Sequence, residues 1–319
     1  GSHVCREFLD QGRRVTVFDN LSTGLRENLF PEAAFIHGDI MDYLGLLRAV
    51  RSAEARGAPF DALIHLAAHK AAGESMLCPE KYSATNISGT INILNAAAET
   101  GISRIVFSSS AAVYGEPAYL PIDEGHPVEP ENYYGFTKLA IEGFLGWYEK
   151  LKGIRYASLR YFNAAGYDVT GRITGLEQNP ANLIPVIMEA ACGTRPQVAI
   201  FGNDYATPDG TGVRDYVHVN DLAAAHAAAL DHIVKTGSSI VANLGSETGL
   251  SVLDILDAAR RISGKPIPAQ FASRRPGDPA KLTASAQYAR EVLGWKARYS
   301  DRDTLIRTTW DAYRKKTGL

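Results

Sequence analysis

The sequence predicts an α/β protein in which a doubly wound, Rossmann-like parallel sheet is joined to a smaller α/β substrate-binding domain. Short apolar runs, typical of strands buried on both faces of a parallel sheet, occur at 15–19, 62–68, 104–110 and 156–163. Helical patterns such as 85–100 and 133–150 lie between these runs, and this alternation indicates a doubly wound sheet. Beyond residue 163 the sequence changes to loops rich in Gly, Pro and Asn.

This change predicts two domains, with 1–162 forming the Rossmann-like domain and 163–319 mainly the substrate-binding domain. In the second half, the sequence predicts short strands at 198–202 and 241–245 and helices at 220–235 and 251–263. Because these helices are rich in Ala and Leu, we expect them to pack partly back on the sheet of the first domain.

The composition excludes several functional classes. A net charge of -2 over 319 residues provides no basic surface for nucleic acid or an acidic membrane. No apolar run approaches the roughly 20 residues needed to span a bilayer. Cys5, Cys78 and Cys192 are scattered without the spacing of a metal site, which predicts reduced thiols in the cytoplasm and no bound metal.

A tyrosine and a lysine indicate the chemistry. Tyr134 and Lys138 lie four residues apart in Y-G-F-T-K, so they share one face of a predicted helix. A phenol has an ordinary pKa of about 10, and a neighbouring cation favours the phenolate, so we expect a lowered pKa for Tyr134. Ser110 ends the run 104–110, where ligands bind in open parallel sheets. The trio suits removal of a proton from an alcohol while hydride leaves for a nicotinamide.

The Y-x-x-x-K pattern, preceded by S-S-S-A-A-V-Y-G at 108–115, resembles the extended, nucleotide-sugar branch of the short-chain dehydrogenase/reductase superfamily. Similarity to the UDP-glucose 4-epimerase family within that branch is carried by R-Y-F-N-A-A-G at 160–166, A-I-F-G-N-D-Y at 199–205, D-G-T-G-V-R-D-Y-V-H at 209–218 and R-R-P-G-D at 274–278. The resemblance implies interconversion of UDP-galactose and UDP-glucose by epimerisation at C4, through a transient 4-keto sugar and bound NADH. The implied partner is a UDP-hexose.

The first residues correspond to a specific point of this fold. In the superfamily, a first strand and a glycine-rich turn precede a helix of this kind, and Gly1 matches the third glycine of that turn. Gly-Ser-His at 1–3 also fits the remainder of an expression tag, and both interpretations stay open. With both interpretations, the first strand and the first two glycines of the turn are absent from the sequence 1–319. Since that strand is central and its turn approaches the pyrophosphate, a chain beginning at Gly1 is expected to fold poorly and bind dinucleotide weakly.

The cofactor is expected to be NAD. Asp19 ends the run 15–19, where a carboxylate accepts hydrogen bonds from the adenosine ribose and would repel the 2′-phosphate of NADP. The alternative is a simple turn at Asp19-Asn20. The resemblance implies that Asp39 accepts a hydrogen bond from the adenine amine and that Lys138 orients the nicotinamide ribose. It also implies cofactor contacts for Lys70 and Asn86. The alternatives are that Lys70 is a solvated surface residue and that Asn86 is an ordinary polar residue of a helix. The residues expected to contact NAD are Gly1, Asp19, Asn20, Asp39, Ile40, Leu66, Ala67, Ala68, Lys70, Asn86, Ser108, Tyr134, Lys138 and Tyr161.

The second half supplies the expected substrate contacts. Two arginines, Arg214 and Arg275, can clamp a diphosphate with forked donors, and Asp278 can accept from ribose hydroxyls. The resemblance implies that Leu282 forms a wall of the sugar pocket. Because Leu is smaller than Tyr, this position predicts tolerance of an N-acetyl group on the sugar. If the alignment to the family motif is shifted by one residue, Lys281 or Thr283 occupies this position instead. The substrate contacts expected from the resemblance are Ser110, Tyr134, Asn163, Asn182, Leu183, Ala199, Phe201, Arg214, Tyr216, Arg275, Asp278 and Leu282.

Other activities of the same superfamily are the main alternatives. A nucleotide-sugar 4,6-dehydratase needs acid and base groups after the strand serine, whereas Ala111 and Ala112 follow Ser110 and cannot transfer a proton. A UDP-glucuronate decarboxylase or 4-epimerase needs a group for the C6 carboxylate, for which the sequence offers no clear candidate. A non-catalytic dinucleotide-sensing module is disfavoured because the serine, tyrosine and lysine are all retained.

The helices predicted at 85–100 and 133–150 resemble the pair through which family members form a homodimer by a four-helix contact. Large apolar side chains in the second of them predict extra apolar surface for such a contact, although core packing is an alternative use. These side chains are Phe136, Phe144, Trp147 and Tyr148.

Overall fold

The computed structural model describes residues 1–275 and 278–319, so positions 276 and 277 of the R-R-P-G-D motif lie outside the described residues. The helices are α1 Ser2–Asp10, α2 Tyr43–Ala55, α3 Ala72–Leu77, α4 Pro79–Tyr82, α5 Gly89–Thr100, α6 Tyr133–Lys152, α7 Leu183–Ala191, α8 Val219–Thr236, α9 Val252–Ser263, α10 Gln287–Leu293 and α11 Arg302–Thr317. The strands are β1 Thr16–Asp19, β2 Ala34–His37, β3 Leu63–His65, β4 Arg104–Ser110, β5 Arg155–Tyr161, β6 Asn163–Ala165, β7 Val198–Phe201, β8 Val213–His218, β9 Ile240–Leu244, β10 Gly249–Ser251, β11 Ala269–Ala272 and β12 Lys281–Leu282.

The central sheet is parallel and four-stranded, with the order β3-β4-β5-β9. Its register aligns Ile64, Val106, Ala157 and Ile240 across the strands. Strands β1 and β2 form a separate parallel pair. Within residues 1–275 and 278–319 no strand pairs with both β1 and β3.

Alternate residues of β4 face opposite helical layers, as the period of a strand requires. Val106 packs on one side with Phe8 of α1 and Ala225 of α8. Ile105 and Phe107 point to the other side and pack with residues of α5 and α6. Both faces of the strand are therefore covered, which explains why its sequence is a continuous apolar run rather than an alternating one.

The second half of the chain is organised around β8. This strand pairs in parallel with β6 and β12 and antiparallel with β10, while β7 and β11 form a separate parallel pair. A second core packs α7, α9 and α11 together. Strand β9 and helix α8 come from the same half of the sequence but pack on the central sheet. The domain boundary at 162/163 stays a prediction.

Several predicted elements differ in detail from the structure. The run 62–68 forms a strand only over Leu63–His65, and the rest becomes a loop at the carboxyl end of the sheet. The helix predicted at 85–100 begins with a π-helical turn at Ser83–Ser88. The run 156–163 is broken at Phe162, where the chain leaves the central sheet before β6 starts. None of the helices in the described ranges is long and apolar enough to cross a bilayer.

Candidate active site

The three predicted catalytic residues meet at the end of β4 and the start of α6. Asn132 caps α6 by accepting a hydrogen bond from the backbone N–H of Gly135 at 2.9 Å, which places Tyr134 in the first turn. One turn later, the Nζ atom of Lys138 donates to the carbonyl oxygen of Ser108 at 2.8 Å and lies 5.7 Å from the centroid of the Tyr134 ring. Lys138 is buried at 2% exposure, so its charge is shielded from bulk water.

Burial dominates the protonation of this pair. It lowers the pKa of Lys138 to about 7 and raises the pKa of Tyr134, while the Ser110 hydroxyl opposes part of the rise in the Tyr134 pKa. The lowered pKa expected for Tyr134 from the sequence is therefore wrong for the protein alone, because desolvation disfavours the phenolate. Additional positive charge beside the phenol is needed before Tyr134 can act as a base near neutral pH.

Glycines permit the close approach of the segments that carry these residues. A Cβ atom at Gly135 would lie 2.3 Å from the carbonyl oxygen of Ala112, so only glycine lets α6 begin this close to the end of β4. Gly115 has a φ of +68°, and a Cβ there would lie 2.1 Å from the carbonyl oxygen of Glu129. The motifs around Ser110 and Tyr134 thus contain the glycines that their packing requires.

The residues expected at the adenosine end of the cofactor also converge. The carboxylate of Asp19, at the end of β1, accepts from the backbone N–H of Leu21 at 2.7 Å. Asn20 donates to the carboxylate of Asp39 at 2.9 Å, which joins the carboxyl ends of β1 and β2. The backbone N–H of Met41 also bonds to Asp39, and these hydrogen bonds lower the pKa of that carboxyl group. Neighbouring Ile40 packs in the core beside α5.

A buried asparagine connects the cofactor edge of the sheet to α6. Asn86 accepts from the backbone N–H of His69 at 2.9 Å, and its amide donates to the His69 carbonyl and to the Thr137 hydroxyl, both at 3.1 Å. The small residues Leu66, Ala67 and Ala68 form the loop between β3 and His69. Lys70 is exposed and forms an ion pair with Glu177 at 2.8 Å.

Two further positions complete the cofactor side. Gly1 is the N-cap residue of α1, and its carbonyl oxygen accepts a hydrogen bond from the backbone N–H of Cys5 at 2.9 Å. Ser108, two residues before the end of β4, and Tyr161, the last residue of β5, are joined by a hydrogen bond between their hydroxyl groups.

The chemistry of this donor set fits a dinucleotide. Carboxylates follow β1 and β2, apolar small residues follow β3, and hydroxyl groups and an ammonium group follow β4, all at the carboxyl edge where such folds bind ligands. The carboxylate of Asp19 suits the ribose diol of NAD and disfavours a 2′-phosphate.

The substrate side lies across β8 and the segment after β11. Arg214 forms an ion pair with Asp278 and donates from Nη1 to the carbonyl oxygen of Val213 at 2.9 Å. The guanidinium carbon of Arg275 lies 3.9 Å from the centroid of the Phe201 ring. Leu282 pairs in register with Arg214, so the expected sugar wall and the expected diphosphate clamp are neighbours.

The other expected substrate residues lie on β6, β7, β8 and the start of α7. Asn163 begins β6 opposite Tyr216, and Tyr216 is buried in the core of the second half. Asn182 and Leu183 start α7, while Ala199 is exposed on β7. In the part of the chain that the structure describes, no side-chain hydrogen bond or ion pair joins these residues to Arg214 or Asp278, and their contacts with a substrate stay predictions.

The sequence analysis missed other residues around the site. A cleft of about 490 Å³ beside Arg275 and Asp278 is also lined by Arg274, the first residue of the R-R-P-G-D motif, and by Glu116 and Glu131, which come from loops without a motif that identifies them. Glu142 and Arg160 form a buried ion pair behind Lys138. Glu142 had a detectable signal, since it follows Lys138 by the same four residues that separate Lys138 from Tyr134.

Comparison with known proteins decides the family. The family model described as GDP-mannose 4,6 dehydratase matches residues 1–309. UDP-glucose 4-epimerase of Halalkalibacterium halodurans is 43% identical over 316 residues, which cover 99% of this chain and 92% of that protein. UDP-glucose 4-epimerase of Lacticaseibacillus casei is 46% identical over 312 residues, with coverages of 98% and 92%. The chain belongs to the UDP-glucose 4-epimerase family.

Solved structures agree with this assignment to the UDP-glucose 4-epimerase family. The structure of UDP-glucose 4-epimerase from Brucella ovis in complex with NAD is similar with a TM-score of 0.93 and 41% identity, covering 98% of this chain and 94% of that one. The UDP-Glc/GlcNAc 4-epimerase of Campylobacter jejuni gives a TM-score of 0.85 at 35% identity, with coverages of 99% and 96%.

The dehydratase activity in the description of the family model conflicts with the residues after β4. Ala111 and Ala112 occupy the turn that follows Ser110, and Ala111 is buried. Neither methyl side chain can exchange a proton, so the turn lacks the acid and base that elimination of water requires. The residues of the site therefore agree with the epimerases and not with a dehydratase.

Proposed function

We propose that Tyr134 transfers the proton in the C4 epimerisation of UDP-galactose and UDP-glucose, with Ser110 as its hydrogen-bonding partner and Lys138 as the neighbouring charge. The chain is an NAD-dependent UDP-glucose 4-epimerase by its family. The observation that carries the assignment of roles is the packing of Lys138 between Ser108 and the Tyr134 ring, at the carboxyl end of the central strand. Incubation with UDP-galactose and chromatography of the products tests the activity directly.

The reaction needs a proton acceptor that later returns the proton. The Tyr134 phenolate, bridged by the Ser110 hydroxyl, takes the proton of the C4 hydroxyl and becomes a phenol, and it gives the proton back after the sugar has presented its other face. When bound, NAD would supply reversible hydride transfer and the positive charge of its nicotinamide ring, and Asp19 and Asp39 would hold its adenosine end. Lys138 supplies a second positive charge, and together these charges offset the raised pKa that burial gives Tyr134.

The diphosphate is the fixed point about which the sugar turns. Arg214 and Arg275 present forked donors that suit phosphate oxygens, and the exposure of the Arg214 side chain is 13%, so its contacts are partly shielded from water. Asp278 now pairs with Arg214, and on substrate binding it accepts instead from the uridine ribose. The Phe201 ring packs against the uracil base.

The NAD prediction has a direct test. We expect the purified protein to carry NAD and not NADP, because the reaction regenerates the cofactor and Asp19 selects against a 2′-phosphate. Denaturing the protein and assaying the supernatant enzymatically for both dinucleotides measures this. An Asp19→Asn variant should retain less NAD, whereas Asp257→Asn, an exposed change on α9, should retain the wild-type amount. NADP in the supernatant, or no dinucleotide, would contradict the expectation.

A homodimer formed through α5 and α6 is the proposed assembly. Phe136 and Trp147 on α6 have exposures of 48% and 60%, which suits a contact surface, whereas Phe144 and Tyr148 pack on the core. We expect light scattering to give twice the chain mass for the wild type and a single mass for Trp147→Glu. Val234→Glu, an equally exposed apolar position on α8, should remain dimeric. A monomeric wild type would rule out the assembly.

The cytoplasmic location predicted from the cysteines also stays a proposal. Cys5 is buried, Cys78 and Cys192 are half-buried, and all are free thiols. Free thiols are typical of proteins kept in a reducing compartment.

A further inference from the structure

A glutamate behind the active site continues the row formed by Tyr134 and Lys138. Glu142 lies one helical turn beyond Lys138 on α6, just as Lys138 lies one turn beyond Tyr134. Strand β4 meets this row with consecutive serines. The Ser108 carbonyl accepts from Lys138 at 2.8 Å, and the Ser109 hydroxyl donates to Glu142 at 2.5 Å. Two successive turns of α6 are thereby bonded to the strand that ends in Ser110.

Glu142 is held in a buried and fully paired setting. Arg160 of β5 donates from Nε to one carboxylate oxygen at 3.0 Å and from Nη2 to the other at 2.5 Å. The remaining Nη1 donates to the Tyr114 hydroxyl at 3.0 Å, and that hydroxyl donates to Asn243 at 2.6 Å. A buried ion pair is weak evidence for stability, because its desolvation cost offsets much of the attraction. Its place behind Lys138 therefore calls for a functional explanation.

We propose that Glu142 is a positioning residue for the reaction, whose carboxylate fixes the turn of α6 that carries Lys138 against β4 and supplies a negative charge behind the ammonium group. The inference rests on the proposed roles of Tyr134 and Lys138. Glu142 acts through Lys138, since Glu142 and Tyr134 lie two helical turns apart with Lys138 between them.

The charged groups around Lys138 determine whether its pKa rises or falls when Glu142 is replaced. The titratable or charged groups that face Lys138 and the Glu142–Arg160 pair are His65 from β3, Tyr134 from α6, Tyr156 from β5, and Tyr114 and Glu124 from the segment after β4. Burial lowers the pKa of His65 to about 3, so His65 is neutral at pH 7. Glu142 opposes the lowering of the Lys138 pKa by burial.

Removing the carboxylate therefore weakens Lys138 as a cation. In Glu142→Gln the positive charge of Arg160 remains without its partner, and the pKa of Lys138 falls further below about 7. A neutral lysine no longer favours the phenolate, so the acid limb of the kcat–pH profile is expected to move up by about one pH unit. This shift lowers kcat about tenfold on the acid side of the limb. KM for UDP-galactose should stay within about twofold, because Arg214 and Arg275 are untouched.

The experiment measures kcat, KM and the kcat–pH profile for UDP-galactose in the NAD-loaded protein. Glu142→Asp keeps the charge but shortens the side chain, so its acid limb should stay in place while kcat falls. Asp221→Asn is the matched control. It alters another buried carboxylate, which accepts from the backbone N–H groups of Arg298 and Tyr299 at 2.9 Å, far along the chain from the reaction. It should lower Tm and leave kcat and the profile unchanged.

The outcomes separate this inference from the proposed mechanism. Tyr134→Phe is assayed in parallel. If it retains turnover, the mechanism fails; if it is inactive while Glu142→Gln keeps the wild-type kcat and acid limb, only the role of Glu142 is overturned. A loss of kcat in Glu142→Gln with an unmoved acid limb also overturns that role. If Glu142→Gln does not fold, Ser109→Ala tests the positioning role of Glu142 in its place. A loss in kcat of about threefold to tenfold at unchanged KM supports that role, and a wild-type kcat refutes it.

Discussion

Replacing Tyr134 with Phe is expected to lower kcat for UDP-galactose about 10²–10⁴-fold, the usual contribution of a general acid or base. The change removes one hydroxyl group from a phenol that is packed beside Lys138 and Ser110. The change retains the aromatic ring. It also retains the start of α6, because the Asn132 side chain that caps this helix accepts from the backbone N–H of Gly135 and does not involve Tyr134. Ser110→Ala should act in the same direction, since the proton then loses its bridge to the C4 hydroxyl.

Binding and turnover must be measured separately to test this expectation. Calorimetry with UDP should give affinities close to the wild type for both variants, since the proposed diphosphate contacts come from β8 and the segment after β11. Tyr133→Phe is the matched control, because Tyr133 is the preceding residue of α6 and its hydroxyl pairs with Ser83 at 2.6 Å. Near-normal turnover in Tyr134→Phe would contradict the mechanism. A loss of kcat in Tyr133→Phe as large as that in Tyr134→Phe would contradict it as well.

The elements that the sequence predicted well are those buried on both faces. The run 104–110 matches β4 residue for residue, because Ile105, Val106 and Phe107 pack under helical layers on both faces of the strand. The start of α6 was equally predictable, since Tyr134 and Lys138 require helical spacing and Asn132 is a good cap. The strand β2 was not predicted, because its first and last residues, Ala34 and His37, are exposed and its sequence forms no continuous apolar run.

Electrostatic properties were less accessible than geometry. The spacing of Tyr134 and Lys138 predicted their proximity, but the pKa of Tyr134 also depends on desolvation, which a single sequence does not show. The Glu142–Arg160 pair escaped notice for a related reason: Arg160 belonged to a motif interpreted through Asn163 alone, and its ion-pair partner lies on another element. Long-range pairs of this kind become visible only once α6 is packed against β5.

The most informative specificity change concerns Leu282. The three neighbouring candidates differ in burial: Lys281 is exposed, Leu282 is half-buried, and Thr283 is buried, with its carbonyl accepting from the backbone N–H of Ile122 at 2.9 Å. The Leu282 side chain packs against the hydrophobic cluster that also contains Ala111, the residue after Ser110. A leucine at this position leaves more room beside the sugar than a tyrosine does, and the relative named UDP-Glc/GlcNAc 4-epimerase shows that both substrate types occur within similar folds.

We accordingly expect the wild type to epimerise UDP-GalNAc as well as UDP-galactose, with the N-acetylated sugar turned over more slowly. Leu282→Tyr should reduce kcat/KM for UDP-GalNAc relative to UDP-galactose by about 10- to 200-fold, the range that one change of pocket volume produces. Both substrates are assayed with the same enzyme preparation, so partial unfolding cancels in the ratio. Lys281→Ala is the control and should leave the ratio unchanged, because that side chain points to solvent. A wild type without detectable turnover of UDP-GalNAc, or an unaltered ratio in Leu282→Tyr, would show that another residue walls the sugar pocket.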